Sequence, residues 1–102
     1  MTYFFVMRRA NGEFFTESLA GVQSLPIWPG ILTLEKYKIF NPELDLFLPA
    51  HLNDPRINSK LKSLEKSGMK FLLMTSDDPS PDLSDGTPTT LGEIESLMRP
   101  AA

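Results

Sequence analysis

The sequence contains no cysteine, and this absence removes several kinds of chemistry at once. Without thiols the chain has no disulfide, no cysteine-ligated zinc and no thiolate nucleophile, which is typical of a protein in a reducing compartment. No apolar run approaches the roughly 20 residues that a transmembrane helix requires. Arg8 and Arg9 follow the apolar N-terminal segment, whereas the basic residues of a secretory signal precede it. We therefore expect a soluble, cytoplasmic protein that does not enter a membrane.

Motifs that bind phosphate or expose a serine nucleophile are also missing. No Gly–Lys–Ser/Thr follows a strand, and no Gly–x–Ser–x–Gly elbow occurs. The formal net charge of −3 disfavours a nucleic-acid-binding role, because phosphate contacts need a basic surface. Asp82 and Glu93 have the spacing of calcium-loop ligands, but Thr87 occupies the sixth position, where such a loop needs glycine. The sequence thus predicts neither a cofactor nor a metal site.

A helix followed by a buried strand is the clearest structural signal in the chain and occupies residues 52–76. Asn53 or Asp54 can cap the helix, because each has a short side-chain oxygen that accepts a hydrogen bond from the first turn. If Asp54 is the cap, Pro55 lies at the first helical position, where an N–H is not needed. Gly68 is expected to end the helix in the left-handed conformation. The apolar stripe of this helix consists of Ile57, Leu61 and Leu64.

The other strand predictions rest on shorter apolar segments. Residues 3–8 and 13–16 flank Asn11–Gly12, the dipeptide best suited to a type I′ turn, and predict a tight N-terminal hairpin. Residues 44–48 alternate between polar and apolar side chains and predict a strand. Residues 70–75 contain an apolar run too short for a helix, which predicts an interior strand covered on both faces.

The middle of the chain has two less regular segments. Residues 25–30 contain the only tryptophan, Trp28, between two prolines, which exclude a helix interior and favour a short edge strand. Residues 31–40 place Leu34 and Tyr37 on one helical face, although part of the segment also alternates like a strand. We interpret this second segment as a helix.

The C-terminal part begins with an acidic loop. Residues 77–88 are rich in Asp, Ser and Pro, and residues 89–102 form a short helix and tail in which Thr90 and Glu93 fit a capping box. We expect both to belong with the core, residues 1–76, to a single domain.

The order of these elements predicts an α+β fold. It consists of a mixed β-sheet of about four to five strands, with an N-terminal hairpin and two or three helices packed mainly on one face. The strands at residues 44–48 and 70–75 would run parallel, joined by a crossover through the intervening helix.

Charge is distributed unevenly along the second half of the chain. Residues 51–70 contain five Lys or Arg against two acidic residues, whereas residues 71–102 contain six acidic residues against Arg99 alone. Two solvated faces are the simpler interpretation. The alternative hypothesis is that the acidic tail folds back over the basic helix and shields it until a partner displaces the tail.

These features favour a protein-interaction or regulatory, accessory module. A sheet edge at the hairpin can bind a partner strand, and tryptophan is enriched in interface hot spots, although a lone tryptophan is more often a core residue. The partner would be another protein or a second copy of the chain. The predicted binding residues are Trp28, Ile27, Phe4, Phe14, Arg56 and Lys60.

A small enzyme or ligand-binding domain is the alternative function. His51 is the only histidine, and Asp54 follows at a spacing that could orient the imidazole as a general base in a cleft. A lone histidine in a strand-to-helix loop is usually ordinary surface, so His51 and Asp54 are weak catalytic candidates and the sequence favours a non-enzymatic role.

The arrangement of these elements resembles a known bacterial family. A hairpin, the Leu–Pro–Ile–Trp–Pro segment of residues 25–29 leading to a helix, and then strand–helix–strand resemble the N-terminal domain of SseB-like proteins, over residues 3–75. The resemblance implies an interaction or accessory role and supplies no catalytic residue.

Overall fold

A mixed six-stranded β-sheet forms the centre of the protein. The computed structural model describes residues 3–74 and 86–98. The strands are β1 (Phe4–Arg8), β2 (Glu17–Leu19), β3 (Val22–Pro29), β4 (Leu48–His51), β5 (Lys70–Leu73) and β6 (Thr87–Thr89). The helices are α1 (Ile31–Phe40), α2 (Pro55–Lys66) and α3 (Leu91–Met98). The chain thus has the predicted α+β fold.

The strand order across the sheet is β4–β1–β3–β5–β6, and β2 pairs with the first residues of β3. β3 and β5 are parallel, and the other pairs are antiparallel. β4 therefore runs in the same direction as β5, and α2 connects the two strands. This parallel strand–helix–strand unit was predicted, but β1 and β3 lie between its two strands.

Each face of the sheet has its own apolar cluster. On the first face β1 and β3 pack against α2 and α3, through Phe4, Val6, Leu25, Ile27, Ile57, Leu61, Leu91 and Ile94. On the second face they pack against α1, through Met7, Trp28, Leu34 and Tyr37. Because successive residues of a strand point to opposite faces, β1 contributes to both clusters, which explains why neither of its faces is polar.

α2 begins after the second of the two caps that its sequence allows and ends where predicted. Asp54 is the N-cap and accepts a hydrogen bond from the N–H of Arg56 at 2.9 Å, with Pro55 at the first helical position. At the other end Gly68 has φ 104°, and the N–H of Met69 donates to the carbonyl of Leu64 at 3.0 Å. This is the Schellman arrangement, which satisfies the last carbonyls of the helix.

The prediction that residues 25–30 form an edge strand is wrong. Residues 25–29 are part of β3, which is paired with β5 on one side and with β1 and β2 on the other. An inner strand normally excludes proline, because proline has no N–H to donate to a neighbouring strand. Pro26 is tolerated because it lies in a gap on one side of β3: the pairs with β2 end at Ser24, and the pairs with β1 begin at Trp28. On the side that faces β5, the carbonyl of Ile27 accepts a hydrogen bond from the N–H of Met74 at 2.8 Å. In a parallel ladder, bonding groups alternate between sides, so the nitrogen of Pro26 faces away from β5 and its missing N–H breaks no ladder bond.

The N-terminal hairpin also differs from the prediction. Asn11 does not have the positive φ of a type I′ turn, and residues 13–16 contribute one isolated bridge, between Arg8 and Phe14. Instead β1 pairs along its length with β4. The tight hairpin joins β2 to β3, and its two-residue loop has positive φ at Ala20 (50°) and Gly21 (80°). The local hairpin is thus short, held by the isolated bridge and by the hydrogen bond from the N–H of Phe15 to the carbonyl of Met7 at 2.9 Å. β4 covers the opposite edge of β1, so the edge predicted to bind a partner strand is already paired.

The region between α1 and α2 is partly as predicted. Residues 31–40 do form a helix, α1. The strand expected at residues 44–48 begins only at its last residue, because Pro42–Leu44 forms a turn of 3-10 helix. Pro49 lies within β4 because β4 is an edge strand, where a missing N–H is tolerated.

The last described elements complete the sheet and the first-face cluster. Thr87–Thr89, expected to end the acidic loop, forms β6 against β5. α3 begins as the capping box predicts, since the N–H of Glu93 donates to Thr90 Oγ1 at 3.2 Å. The hypothesis that the acidic segment covers α2 concerns mainly residues 75–85, which lie outside the described residues.

Candidate functional site

Three depressions lie side by side along α2. The largest, here named the α2 groove, has a volume of about 600 Å³ and lies between α2 and the loop after β1. The second, named the basic cleft, has a volume of about 320 Å³ and lies between β4, the end of β1 and the start of α2. A smaller depression shares Arg8 and Asp54 with the basic cleft and Lys60 with the α2 groove. The three therefore form one continuous surface.

The apolar part of the α2 groove is held by two well-defined turns. Phe14 follows the turn in which the N–H of Arg9 donates to the carbonyl of Glu13 at 2.8 Å, and it bridges to the end of β1. Leu64 and Met69 are held together by the Schellman hydrogen bond. Phe14, Leu64 and Met69 pack only partly against the core, so each presents apolar surface to the groove.

Positive charge exceeds negative charge on this surface. Its cations are Arg8, Arg9, Arg56 and Lys60, and its carboxylates are Glu13 and Asp54. Glu13 pairs with Arg9 at 3.7 Å, and Asp54 pairs with Arg56 at 3.6 Å. Within the described residues Arg8 and Lys60 take part in no ion pair. These two cations are therefore available to an acidic partner.

Asp54 is ionised over most of the accessible pH range. The N–H of Arg56 donates to its carboxylate, and this hydrogen bond is the main reason why the pKa of Asp54 lies below its ordinary value. Desolvation opposes the shift, while the charges of Arg56 and Arg8 add to it. Asp54 is thus a fixed negative charge at the N-terminus of α2.

The structure does not form the catalytic arrangement considered for His51 and Asp54. Both residues line the basic cleft. The imidazole of His51 packs against the rings of Tyr3 and Phe5, with centroids 4.8 and 5.0 Å away, and its Nδ1 accepts a hydrogen bond from the N–H of Asn53. The carboxylate of Asp54 instead caps α2. Asp54 therefore does not orient His51 as a general base.

Three of the predicted binding residues are in the core. Trp28 and Ile27 have 0% of their surface exposed, and Phe4 is buried as well. The Trp28 ring lies 5.3 Å from that of Tyr37, and its buried indole N–H has no hydrogen-bond partner among the described residues. The prediction that the Trp28 region forms an exposed contact surface is therefore wrong, because β3 is an inner strand and α1 covers it.

The other three predicted binding residues lie on the continuous surface. Phe14 and Lys60 line opposite sides of the α2 groove, and Arg56 lines the smaller depression beside Lys60. Sequence reasoning missed Leu64 and Met69 as groove residues, although the helix stop at Gly68 is typical of a Schellman motif, which brings these two residues together. It also missed Arg8, whose position opposite Leu48 depends on the long-range pairing of β1 with β4.

The described part of the chain offers neither a metal-binding cluster nor a membrane-spanning helix. Residues 3–74 and 86–98 contain no group of three or more His, Asp or Glu side chains placed to hold a metal ion. Nor does any helix there have the length and apolar content needed to cross a bilayer. When the chain was compared with protein-family models, with curated proteins and with solved structures, no match was found.

Proposed function

We propose that this protein is an interaction module that binds an acidic, partly apolar segment of another protein in the α2 groove. The observation that carries the proposal is the combination, in one groove, of apolar side chains open to solvent and a cation that forms no ion pair with any described residue. Phe14, Leu64 and Met69 supply the apolar floor, and Lys60 supplies the cation.

The form of the groove supports a peptide segment as the partner. Its volume of about 600 Å³ accommodates a few side chains, and it continues past Lys60 towards Arg8. Apolar anchors that fill a pocket supply most of the affinity in such complexes, whereas charges at the rim select the partner and speed its association. A segment with one or two large apolar residues flanked by Asp or Glu satisfies both parts of the surface.

A displayed library of random peptides, selected on the immobilised protein, tests this proposal. The selected peptides are expected to be enriched in acidic residues next to Leu, Phe or Met. A synthetic copy of the best peptide is then measured by fluorescence anisotropy. Phe14→Ser and Lys60→Glu should each weaken its binding by about tenfold or more, because they remove an apolar anchor and reverse a rim charge.

Two variants serve as matched controls. Lys66→Glu changes the same charge on the same helix at a position that lines none of the three depressions, and should alter binding by less than about threefold. Leu46→Ser removes an exposed apolar side chain outside the groove. Selected peptides without acidic residues, or binding that is indifferent to both Phe14 and Lys60, would contradict the proposal.

A ligand-binding role for the basic cleft is the second candidate. Its support is the convergence of Arg8, Arg9 and His51 in a concave site of about 320 Å³, which is in the size range of small-ligand sites. A small anionic ligand would be stabilised there by the two guanidinium groups. A thermal-shift screen of small carboxylates and phosphates discriminates between the candidates, because Arg8→Ser should abolish a shift that Phe14→Ser leaves intact.

An interaction role also agrees with what the resemblance to SseB-like N-terminal domains implies. That resemblance stays a prediction, and the proposal does not depend on it.

A further inference from the structure

α1 differs from α2 in where its apolar residues lie. On α2 the outward-facing positions are occupied mainly by charged residues, and the apolar stripe faces the core. On α1, Leu34 and Tyr37 face the sheet, but Leu32, Ile39 and Phe40 are exposed. A helix with apolar residues on all sides is normally covered on all sides. The outer side of α1 is therefore apolar and yet exposed to solvent, which favours a partner that would bury it.

The two most exposed of these residues, Leu32 and Ile39, lie on one line along the helix. Leu32 is 74% exposed and Ile39 is 72% exposed. They are seven residues apart, or two turns, and lie within about 20° of each other around the helix axis. Along the helix axis, Glu35 and Lys36 lie between Leu32 and Ile39. Around the axis, each is displaced by about 50° from the line that joins these two residues, on opposite sides of it. We name Leu32, Glu35, Lys36 and Ile39 the α1 outer face.

The two charges of the α1 outer face are not neutralised within the described part of the chain. Glu35 and Lys36 are exposed, and within the described residues neither takes part in an ion pair. The neighbouring Lys38 differs, because its Nζ donates to the carbonyl of Phe47 at 2.6 Å. The charges that flank the apolar line are thus the ones left free.

We propose that the α1 outer face is a homodimer interface, in which α1 of one copy lies parallel to α1 of a second copy about a two-fold axis. In this arrangement Leu32 faces Leu32 and Ile39 faces Ile39 across the axis, because each lies on the central line. Glu35 of each copy then faces Lys36 of the other, once on each flank. The surface is self-complementary in the way that a two-fold interface requires.

The alternative, antiparallel arrangement does not have this complementarity. A two-fold axis perpendicular to the helices brings each flank against the same flank of the other copy. Glu35 would then face Glu35, and Lys36 would face Lys36, which is unfavourable. The charges therefore favour the parallel pair, and they also favour a second copy over an unrelated partner.

The dimer is independent of the proposed function. Since α1 and α2 cover opposite faces of the sheet, pairing through α1 leaves the α2 groove open.

Sedimentation velocity with charge variants tests the interface. Wild-type protein should show a concentration-dependent dimer over a range of about 1 µM to 1 mM. Glu35→Lys and Lys36→Glu should each weaken the dimer by about tenfold, because each places like charges on both flanks. An equimolar mixture of these two variants should recover a dimer, since every flank pair is then attractive. Ile39→Glu should give a monomer that still melts cooperatively.

A thiol at the axis tests the parallel geometry separately. The chain has no cysteine, so any disulfide in Ile39→Cys joins two copies. Ile39→Cys should form a covalent dimer rapidly under mild oxidation, because the two thiols meet at the axis. Leu97→Cys is the matched control, since Leu97 is an exposed apolar residue on α3, which covers the opposite face of the sheet.

The outcomes separate the possible occupants of this face. A monomer at every concentration overturns the proposal, and so does a dimer that neither Ile39→Glu nor the charge variants weaken. A monomer that binds anionic phospholipid vesicles through Leu32 and Ile39 would assign the face to a lipid surface instead. Fast oxidation of Leu97→Cys but not of Ile39→Cys would exclude the parallel pair.

Discussion

The carboxylate of Asp54 has two roles, one in the helix and one in the candidate site. It caps α2 by accepting the hydrogen bond of the Arg56 N–H, and it lines the basic cleft beside Arg8. The same hydrogen bond that starts the helix keeps the carboxylate ionised, because it lowers the pKa of Asp54. The negative charge of the cap therefore moderates the positive charge of the surrounding surface.

Replacement of Asp54 separates these roles. Asp54→Ala should lower the Tm by roughly 5 °C, since an N-cap is lost, whereas Asp54→Asn should lower it much less because Asn also caps. The folded-state pKa of Asp54 is depressed, so its contribution to stability is present above the ordinary pKa and is lost as the pH falls through the depressed value. Thermal melts at neutral pH and through the acid range should show this loss in the wild type and not in Asp54→Asn. Equal melting temperatures for the wild type and Asp54→Ala at neutral pH would disprove the cap's contribution.

At the scale of elements, the β2–β3 hairpin uses a turn that its sequence fits only in part. Type I′ turns require positive φ at both central residues and favour Asn–Gly. Here the two positions are Ala20 and Gly21, and within the described residues Ala20 is the only residue other than glycine with a positive φ. The Asn–Gly dipeptide occurs instead at Asn11–Gly12, where the loop has a different form. Strand pairing therefore determined which loop became the tight turn.

Substitution of Ala20 should release backbone strain. Ala20→Asn is expected to raise the free energy of unfolding by about 0.5–1 kcal/mol, because Asn tolerates the left-handed conformation better than Ala. Urea denaturation measures the change. Ala10→Asn is a matched control in the first loop, where Ala10 does not have a positive φ, and should change stability by less than about 0.5 kcal/mol. A destabilised Ala20→Asn variant would show that the turn carries no strain.

At the scale of the whole molecule, the C-terminal part is integral to the core. Leu91 and Ile94 of α3 are buried in the cluster on the α2 side of the sheet. α3 is also joined to α2, since the N–H of Leu91 donates to Glu65 Oε2 at 3.0 Å and Lys62 pairs with Glu95 at 3.4 Å. The hypothesis of a shielding acidic tail therefore cannot be tested by deleting residues 77–102. It requires the exchange of Asp77, Asp78, Asp82 and Asp85 for Asn in the full chain.

Deletion of residues 77–102 is expected to abolish cooperative folding, because it removes β6 and the α3 part of the core. The point variant Ile94→Ala should cost about 2–5 kcal/mol, a large share of the stability of a domain of this size. Leu97→Ala, at a position that is 52% exposed, should cost less than about 1 kcal/mol. Thermal melts followed by circular dichroism measure the stability of the truncated chain and of the two point variants. A truncated chain that melts like the full protein would show that α3 is dispensable.

The α2 unit and half of the candidate site could be predicted from the sequence. The cap at Asp54, the stop at Gly68 and the apolar stripe between them depend on residues a few positions apart, so local chemistry determines them. Lys60 and Phe14 were predicted as binding residues, and the structure places them in one groove. Their proximity was not predictable, because it depends on the path of the loop after β1.

The sequence by itself determined the α+β class, the helix α2 to within one residue at its start, and the buried strand β5. For α1 it favoured a helix without excluding a strand. Only the tertiary structure decided that β1 pairs with β4 and β3, that β3 is an inner strand despite its prolines, and that Trp28 is buried beneath α1. The reason is that helix signals lie within a few residues, whereas strand pairing joins segments far apart in the chain. Which edge is free and which aromatic ring is covered depend on that pairing.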